Sequence, residues 1–240
     1  MSNITIRPAQ SEDVPRMAEI FGAAFTDDRH TQVKTVETGM GDQVKGMGDA
    51  LSHWMTVPER CKVMKAVDES THEIVGWVVW GLRGYPQPEI KEPNESTEKK
   101  TEEAKTETNP EEPKLEPSKK SLERLKELTH ADLERWMDIF MPPGTKCMFI
   151  VAISVHPAYQ GRGIGSALIR WGTSKADEDG VFCWVHASEA GRPAFEKAEF
   201  EQQGTLVVDL DEYAPRPREN GLKWGRYTFT YMKRLPHAKT

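Results

Sequence analysis

Apolar residues recur at helical spacing in several parts of the chain. After Ser11, the apolar positions from Val14 to Phe25 lie three or four residues apart, which is typical of one helix face. The same spacing predicts further helices over about 42–55, 122–140, 163–178 and 191–198. Within 122–140, Thr129 and Asp132 resemble a capping box, which leaves open a break between two helices.

Short runs of β-branched and aromatic residues predict strands between these helices. Ile4–Ile6 forms the first strand, which Pro8 ends, and Lys62–Val67 is expected to pair with Ile74–Trp80 across a polar turn. Further strands are predicted over 146–155, 181–187, 203–209 and 223–233. Because strands alternate with helices, the pattern favours an α/β fold, and the late strands indicate a mixed sheet.

One segment, residues 89–120, follows neither spacing. It consists almost entirely of Glu, Lys, Thr, Ser, Pro and Asn and contains no aromatic residue. Since it cannot bury enough apolar surface to offset the entropy of ordering, we expect a charged, low-complexity insert that is disordered or loosely helical. A tolerated surface-loop insertion and a partner-docking segment both remain open.

The composition of the 240 residues narrows the class of protein. The length fits one large or two small domains, and the insert explains a hydrophobic content of only 37%. The net charge of −6 gives no basic field for nucleic acid or an anionic membrane. No apolar run approaches a membrane span, no secretory signal begins the chain, and the three cysteines follow no paired spacing. We therefore expect a cytoplasmic protein, with a nuclear location also open.

The stretch from Val151 to Ser166 carries the clearest chemical signal. A hydrophobic strand runs into a turn that contains Pro157, a glycine-rich loop follows, and an amphipathic helix comes next. Glycines let the backbone approach a ligand closely, and the backbone N–H groups at a helix N-terminus attract a phosphate. The stretch therefore predicts an anion cradle.

Three known loop patterns could use this design. A dinucleotide fingerprint counted from Gly161 needs a third glycine at position 166, where the chain has Ser166, and no further parallel βαβ units follow. A P-loop needs a lysine that is absent here. The third pattern, Q/R-x-x-G-x-G/A, is matched by Gln160, Gly163 and Gly165.

That third pattern resembles the pyrophosphate loop of the GNAT (GCN5-related N-acetyltransferase) superfamily. The 187–200 stretch resembles the family's later motif, and Ile6–Ala9 and Ile74–Trp77 resemble its opening and its next strand. The resemblance covers the chain apart from residues 85–145. It implies one N-acetyltransferase domain over residues 1–240, α/β (α+β) in class. Its mixed, mostly antiparallel central sheet would be flanked by helices and splayed at the acetyl-CoA strand.

The resemblance also implies a cofactor and a reaction. Acetyl-CoA would bind with its pantetheine arm along the motif strand and its pyrophosphate in the loop. The implied cofactor residues are Ile153, Ser154, Val155, Gln160, Gly161, Arg162, Gly163, Ile164, Gly165 and Ser166. The reaction would be direct acetyl transfer, in a ternary complex, to a primary amine of a small molecule or peptide.

One family residue is missing. Members commonly use a tyrosine of the later motif as general acid, but Phe195 stands there, and Glu199 replaces a following glycine. Strand alternation places His186 and Ser188 on one face, and both are candidate catalytic residues. A half-buried, hydrogen-bonded strand histidine and a local helix cap are the competing interpretations of these two residues.

The sequence gives a weaker signal for the residues that would bind the acceptor amine. Asp27 and Asp28 end the first helix, where the family builds its acceptor pocket, so they could hold a cationic amine or form a solvated acidic loop. A catalytically weak acyl-CoA-binding module is the alternative function, which Phe195 favours. The sequence contains no HExxH, CxxC or G-x-S-x-G motif, so no metal site, redox site or hydrolase is predicted. A monomer and a homodimer both remain open.

Overall fold

Seven strands form one sheet in the computed structural model, which describes residues 4–86, 117–218 and 221–237. The sheet has the order β1-β2-β3-β4-β5-β7-β6, and of its pairs only β4–β5 is parallel. The mixed, mostly antiparallel sheet predicted from the sequence is confirmed. The strands are β1 (Ile4–Pro8), β2 (Cys61–Asp68), β3 (Glu73–Arg83), β4 (Cys147–Val155), β5 (Cys183–Ala187), β6 (Glu201–Asp209) and β7 (Arg226–Arg234).

Helices flank this sheet, and most lie where the apolar spacing predicts them. Their bounds are α1 (Val14–Phe25), α2 (Arg29–Thr35), α3 (Gly41–Met55), α4 (Pro117–Phe140), α5 (Ile164–Asp179) and α6 (Arg192–Lys197). The short helix α2 was not predicted, because its seven residues are too few to show a helical period. Its N-cap is Asp28, whose side chain accepts a hydrogen bond from the Thr31 N–H. None of the described helices is long and apolar enough to cross a membrane.

The helices pack on opposite faces of the sheet. Helices α1 and α3 cover Trp77 and Val79 of β3, and the Trp77 indole N–H donates to the Met17 carbonyl at 2.7 Å. On the other face, α5 and α6 pack Leu168 and Phe195 into the largest apolar cluster. The layered arrangement therefore holds the α5 N-terminus against β3 and β4, the strands that border the glycine-rich loop.

Helix α4 differs from its prediction. It is continuous from Pro117 to Phe140, so the break that the sequence left open near Thr129 is absent. The Thr129 hydroxyl donates back to the Leu125 carbonyl at 2.9 Å, which is a contact within a helix and not a cap. Of the predicted insert, residues 89–116 lie outside the described residues, and residues 117–120 form the first turn of α4.

Candidate active site

Strands β4 and β5 separate part-way along their length. Pairing between them runs only from Met148 with Cys183 to Ile150 with Val185, whereas β4 stays paired with β3 as far as Val155. The β3–β4 register shifts next to Ile150, and this irregularity lies where the β4–β5 pairing stops. The backbone groups of 151–155 that point away from β3 therefore have no strand opposite them.

A cleft of about 510 Å³ opens at this separation. Its walls come from β4, the glycine-rich loop, the start of α5, the 188–197 segment and the end of α1. Nine of the ten predicted cofactor residues line it: Ile153, Ser154, Val155, Gln160, Gly161, Gly163, Ile164, Gly165 and Ser166. Arg162 is the exception, since its guanidinium lies 4.9 Å from the centre of the Tyr159 ring and is exposed.

The loop conformation explains its glycines. Gly161 and Gly163 have φ angles of 74° and 82°, a region that other residues enter only with strain. A Cβ atom would meet nothing within 4 Å at either position, so the requirement for glycine is conformational. The side-chain amide of Gln160 donates to the Val155 carbonyl at 3.0 Å and ties the loop back to the strand.

Helix α5 starts directly after this loop. Gly163 is its N-cap, and its carbonyl accepts the N–H of Ala167. The N–H groups of the first turn, residues 164–166, have no partner inside the helix. Further along, Gly172 lets α5 approach β3, because a Cβ there would lie 2.0 Å from the Trp80 ring. The helix is therefore held so that its positive N-terminus faces the cleft.

This geometry agrees with the sequence comparisons. Residues 126–200 match the profile of the Acetyltransferase (GNAT) family. The matched segment covers most of α4, strand β4, the glycine-rich loop, α5, β5 and α6, so this part of the chain is similar to GNAT acetyltransferases. A search of curated proteins gave no significant match.

Solved acetyltransferase structures share the fold at low identity. A Corynebacterium glutamicum protein titled histone acetyltransferase HPA2 and related acetyltransferase is 16% identical, with a TM-score of 0.52 over 100% of this chain and 99% of its own. The putative arylalkylamine N-acetyltransferase 7 of Aedes aegypti is 16% identical, with a TM-score of 0.58 over 97% and 87%. The mosquito arylalkylamine N-acetyltransferase like 5b is 19% identical, with a TM-score of 0.56 over 97% and 100%.

The position of the usual GNAT tyrosine lies on the cleft wall. Phe195 is buried there and contacts Phe200 with a ring separation of 5.6 Å, so this position supplies no hydroxyl. Glu199, at the family's glycine position, has a φ of 65°, in the left-handed region that glycine adopts without strain. Glu199 therefore adopts a backbone conformation that favours glycine.

The two predicted catalytic residues occupy different surroundings. Ser188 lines the cleft, and its Oγ accepts the Gly191 N–H at 3.2 Å, as a local cap would. His186 does not line the cleft; its ring stacks on Tyr231 at 4.7 Å and contacts Phe229 at 4.7 Å. Burial lowers the pKa of His186 to about 4, so the imidazole is neutral at pH 7.

The structure separates the two predicted acceptor-side carboxylates. Asp27 is exposed and does not line the cleft, whereas Asp28 does. Besides capping α2, Asp28 accepts a hydrogen bond from the Tyr227 hydroxyl at 2.6 Å. Burial, together with the nearby Asp28 carboxylate, raises the pKa of Tyr227, which therefore stays protonated and keeps donating. Arg29 pairs with Glu189 at 2.7 Å and ties the same turn to the end of β5.

Ser154 has a feature that the sequence reasoning missed. The prediction used only its backbone, but the residue is 4% exposed and borders the cleft, and its buried Oγ has no hydrogen-bond partner among the described residues. Buried polar atoms in folded proteins normally have a partner, so an unpaired one at a cleft indicates a bound water or ligand. A serine inside an otherwise apolar strand was the available signal.

Other unpaired buried polar atoms gather on the same side of the sheet as α2 and α4. They belong to His30, Trp136 and His186, whereas Tyr231 is hydrogen-bonded to Asp132 and Trp184 to Cys147. Trp136, Tyr231 and His186 form a continuous ring stack, with centroid separations of 4.8 and 4.7 Å. Among the described residues, no group of three or more His, Cys, Asp or Glu side chains could hold a metal ion.

Proposed function

We propose that this protein is a GNAT-type N-acetyltransferase, which transfers the acetyl group of acetyl-CoA directly to a primary amine of a small molecule or peptide in a ternary complex. The observation that carries the proposal is the end of β4–β5 pairing at Ile150, while β4 continues to Val155. An unpaired strand edge and a glycine-rich helix N-terminus open into one cleft, and acetyl-CoA has an amide-containing arm and a pyrophosphate for these two features.

Bound acetyl-CoA would supply an activated thioester. The backbone of Ile153–Val155 would pair with the pantetheine arm as an added strand does. A backbone N–H on this edge would donate to the thioester carbonyl oxygen and stabilise the negative charge that develops there. The free N–H groups of Ile164–Ser166 would hold the pyrophosphate.

The acceptor must lose protons during the reaction. An alkyl ammonium has a pKa of about 10, so only about 0.1% is nucleophilic at pH 7. In the overall reaction, the ammonium form of the amine and acetyl-CoA give the amide, the free thiol of CoA and one proton. His186 is the proposed base for this proton; because burial lowers its pKa to about 4, it would pass the proton on to water and not hold it at pH 7. Asp28, at the α1 end of the cleft, would face the cationic amine.

The leaving thiolate needs a donor other than Phe195. Ser188 uses its oxygen as an acceptor for Gly191, which leaves its O–H free to donate toward the sulfur. Ser154 borders the cleft, and its buried Oγ has no partner among the described residues, so its hydroxyl would be the second donor. The two serines would take the place of the usual tyrosine.

A catalytically weak acyl-CoA-binding module is the second candidate. Phe195 favours it, because the cleft holds an apolar ring where the family usually places its acid. Such a protein would retain the open β4 edge and the glycine loop and would bind the coenzyme without turnover.

Thiol release from acetyl-CoA separates the two candidates. The purified full chain is incubated with acetyl-CoA and a panel of polyamines, arylalkylamines, amino sugars and peptides with free N-termini, and acetylated products are identified by mass spectrometry. We expect thiol release that depends on at least one class of amine and matches product formation. Thermal stabilisation by acetyl-CoA without turnover across the panel would instead support the binding module.

A further inference from the structure

A second pocket adjoins the cofactor cleft between α5 and α6. It has a volume of about 430 Å³, and it shares Ser166 and Lys197 with the cleft. Ser166 lies in the first turn of α5, and Lys197 is the last residue of α6. A ligand group that extends beyond the glycine loop along α5 would therefore enter this pocket.

The acidic groups of this pocket are already paired. Arg234 binds the Asp177 carboxylate through both terminal nitrogens, at 2.7 and 2.8 Å. The Glu199 carboxylate lies 3.0 Å from His237 Nε2 and 4.0 Å from the Arg234 guanidinium. These contacts give both carboxylates of the pocket a partner, an arginine for Asp177 and an imidazole for Glu199.

Two cations at the cleft end of the pocket have no such partner. Arg170 and Lys197 are exposed, and neither forms an ion pair with another described residue. Arg170 lies four residues after Ser166, on the same face of α5 and about 6 Å further along the helix axis. The free charge beside the glycine loop is therefore positive, and the hydroxyl of Ser174 adds a neutral donor to the same pocket.

We propose that Arg170 and Lys197 form an anion subsite for the 3′-phosphate of coenzyme A, an inference that rests on the proposed function. This phosphate lies on the ribose beyond the pyrophosphate, and as a monoester it carries a charge of about −1.5 to −2 at pH 7. An arginine can bind a phosphate through two nitrogens, and a lysine adds a mobile point charge. The subsite distinguishes coenzyme A from its dephosphorylated form.

Calorimetric titration of the full chain with CoA and with 3′-dephospho-CoA tests this proposal in low-salt buffer. We expect wild-type protein to bind CoA several-fold more tightly. Arg170→Gln and Lys197→Gln should each weaken CoA binding about three- to tenfold, as expected for exposed charge pairs, and should leave dephospho-CoA binding unchanged. Arg192→Gln is the matched control, because Arg192 pairs with Glu196 and lines neither pocket.

Three other calorimetric results would refute the subsite, its assignment to these residues, or the proposed function. Equal wild-type affinity for the two nucleotides would refute the subsite without any variant and would leave the cofactor cleft intact. A preference for CoA that survives both substitutions would refute the assignment to Arg170 and Lys197. If neither nucleotide binds, the proposed function fails together with the subsite.

Discussion

Individual side chains determine which chemical groups the cleft can offer. Phe195 provides an apolar wall where GNAT proteins commonly have a hydroxyl, while Ser154 and Ser188 bring hydroxyls to the same cleft. The sequence alone revealed the missing tyrosine hydroxyl at Phe195, because aligning the later motif is enough to see it. It did not identify the side chain of Ser154, because burial and the lack of a partner depend on how β3, β4 and α1 pack.

Ser154→Ala tests whether this buried hydroxyl acts on the bound substrates. We expect kcat to fall about tenfold, as for the loss of one hydrogen bond made in the transition state, with little change in the Kd of CoA. Removing an unpaired buried hydroxyl should not lower the melting temperature. Ser52→Ala, on the exposed side of α3, is the control. A wild-type kcat in Ser154→Ala would exclude the role.

The buried histidines should make folding stability depend on pH. Burial lowers the pKa of His186 to about 4, and burial with the nearby Lys34 lowers that of His30 to about 3. In the unfolded chain each ring takes up a proton below about pH 6.5, whereas in the folded protein it stays neutral. The free energy of unfolding is therefore highest above about pH 6.5 and falls as the pH drops toward 4. From pH 7.5 to pH 5, each buried histidine should lower the free energy of unfolding by on the order of 2 kcal/mol.

Urea unfolding of wild type and His186→Gln at pH 7.5 and pH 5 measures this contribution. The difference between the two pH values should be about 2 kcal/mol smaller in the variant than in wild type. His53→Gln, whose side chain is exposed, should keep the wild-type difference. An equally large loss in His186→Gln would show that His186 is not the titrating group.

At the level of elements, the loop and α5 act as one unit. The glycine pattern in the sequence predicts this unit, because positive φ angles and a helix start leave a local signature. The end of β4–β5 pairing at Ile150 leaves no such signature. It depends on the register of three strands and on the irregularity in β4, so only the family resemblance suggested a splayed strand.

Gly163→Val tests the loop as a phosphate cradle. Valine at a φ of 82° costs about 1–2 kcal/mol in the native conformation, and relief of that strain turns the α5 N–H groups away from the cleft. We expect thermal stabilisation by acetyl-CoA to be lost. Gly180→Val is the matched control: Gly180 has a φ of 65° at the far end of α5 and does not line the cleft. Equal stabilisation of both variants would contradict the cradle assignment.

For the whole molecule, the sequence predicts the order of strands and helices closely, and it errs where tertiary contacts decide. The break that the sequence left open in α4 is absent, because Thr129 bonds within the helix. Asp27 and Asp28 look equivalent in sequence, yet only Asp28 lines the cleft, since α2 begins directly after it and Tyr227 lies opposite. Such differences arise from contacts between residues far apart in the chain.

Replacing residues 89–116 by a short Gly-Ser linker tests the contribution of the charged segment to stability. The segment contains few apolar residues and can bury little surface, so we expect the melting temperature to change by no more than about 2 °C. Acetyl-CoA stabilisation should also persist, because the residues that line the cleft lie outside the deletion. A large drop in melting temperature would show that the segment packs on the domain.

A crystal structure of the full chain with CoA tests the central claim most directly. The account predicts that the pantetheine arm lies between β4 and β5, with hydrogen bonds to the backbone of Ile153–Val155. It also predicts that the pyrophosphate accepts the N–H groups of Ile164–Ser166. Coenzyme bound elsewhere, or a β4–β5 gap closed by the chain's own residues, would contradict the account.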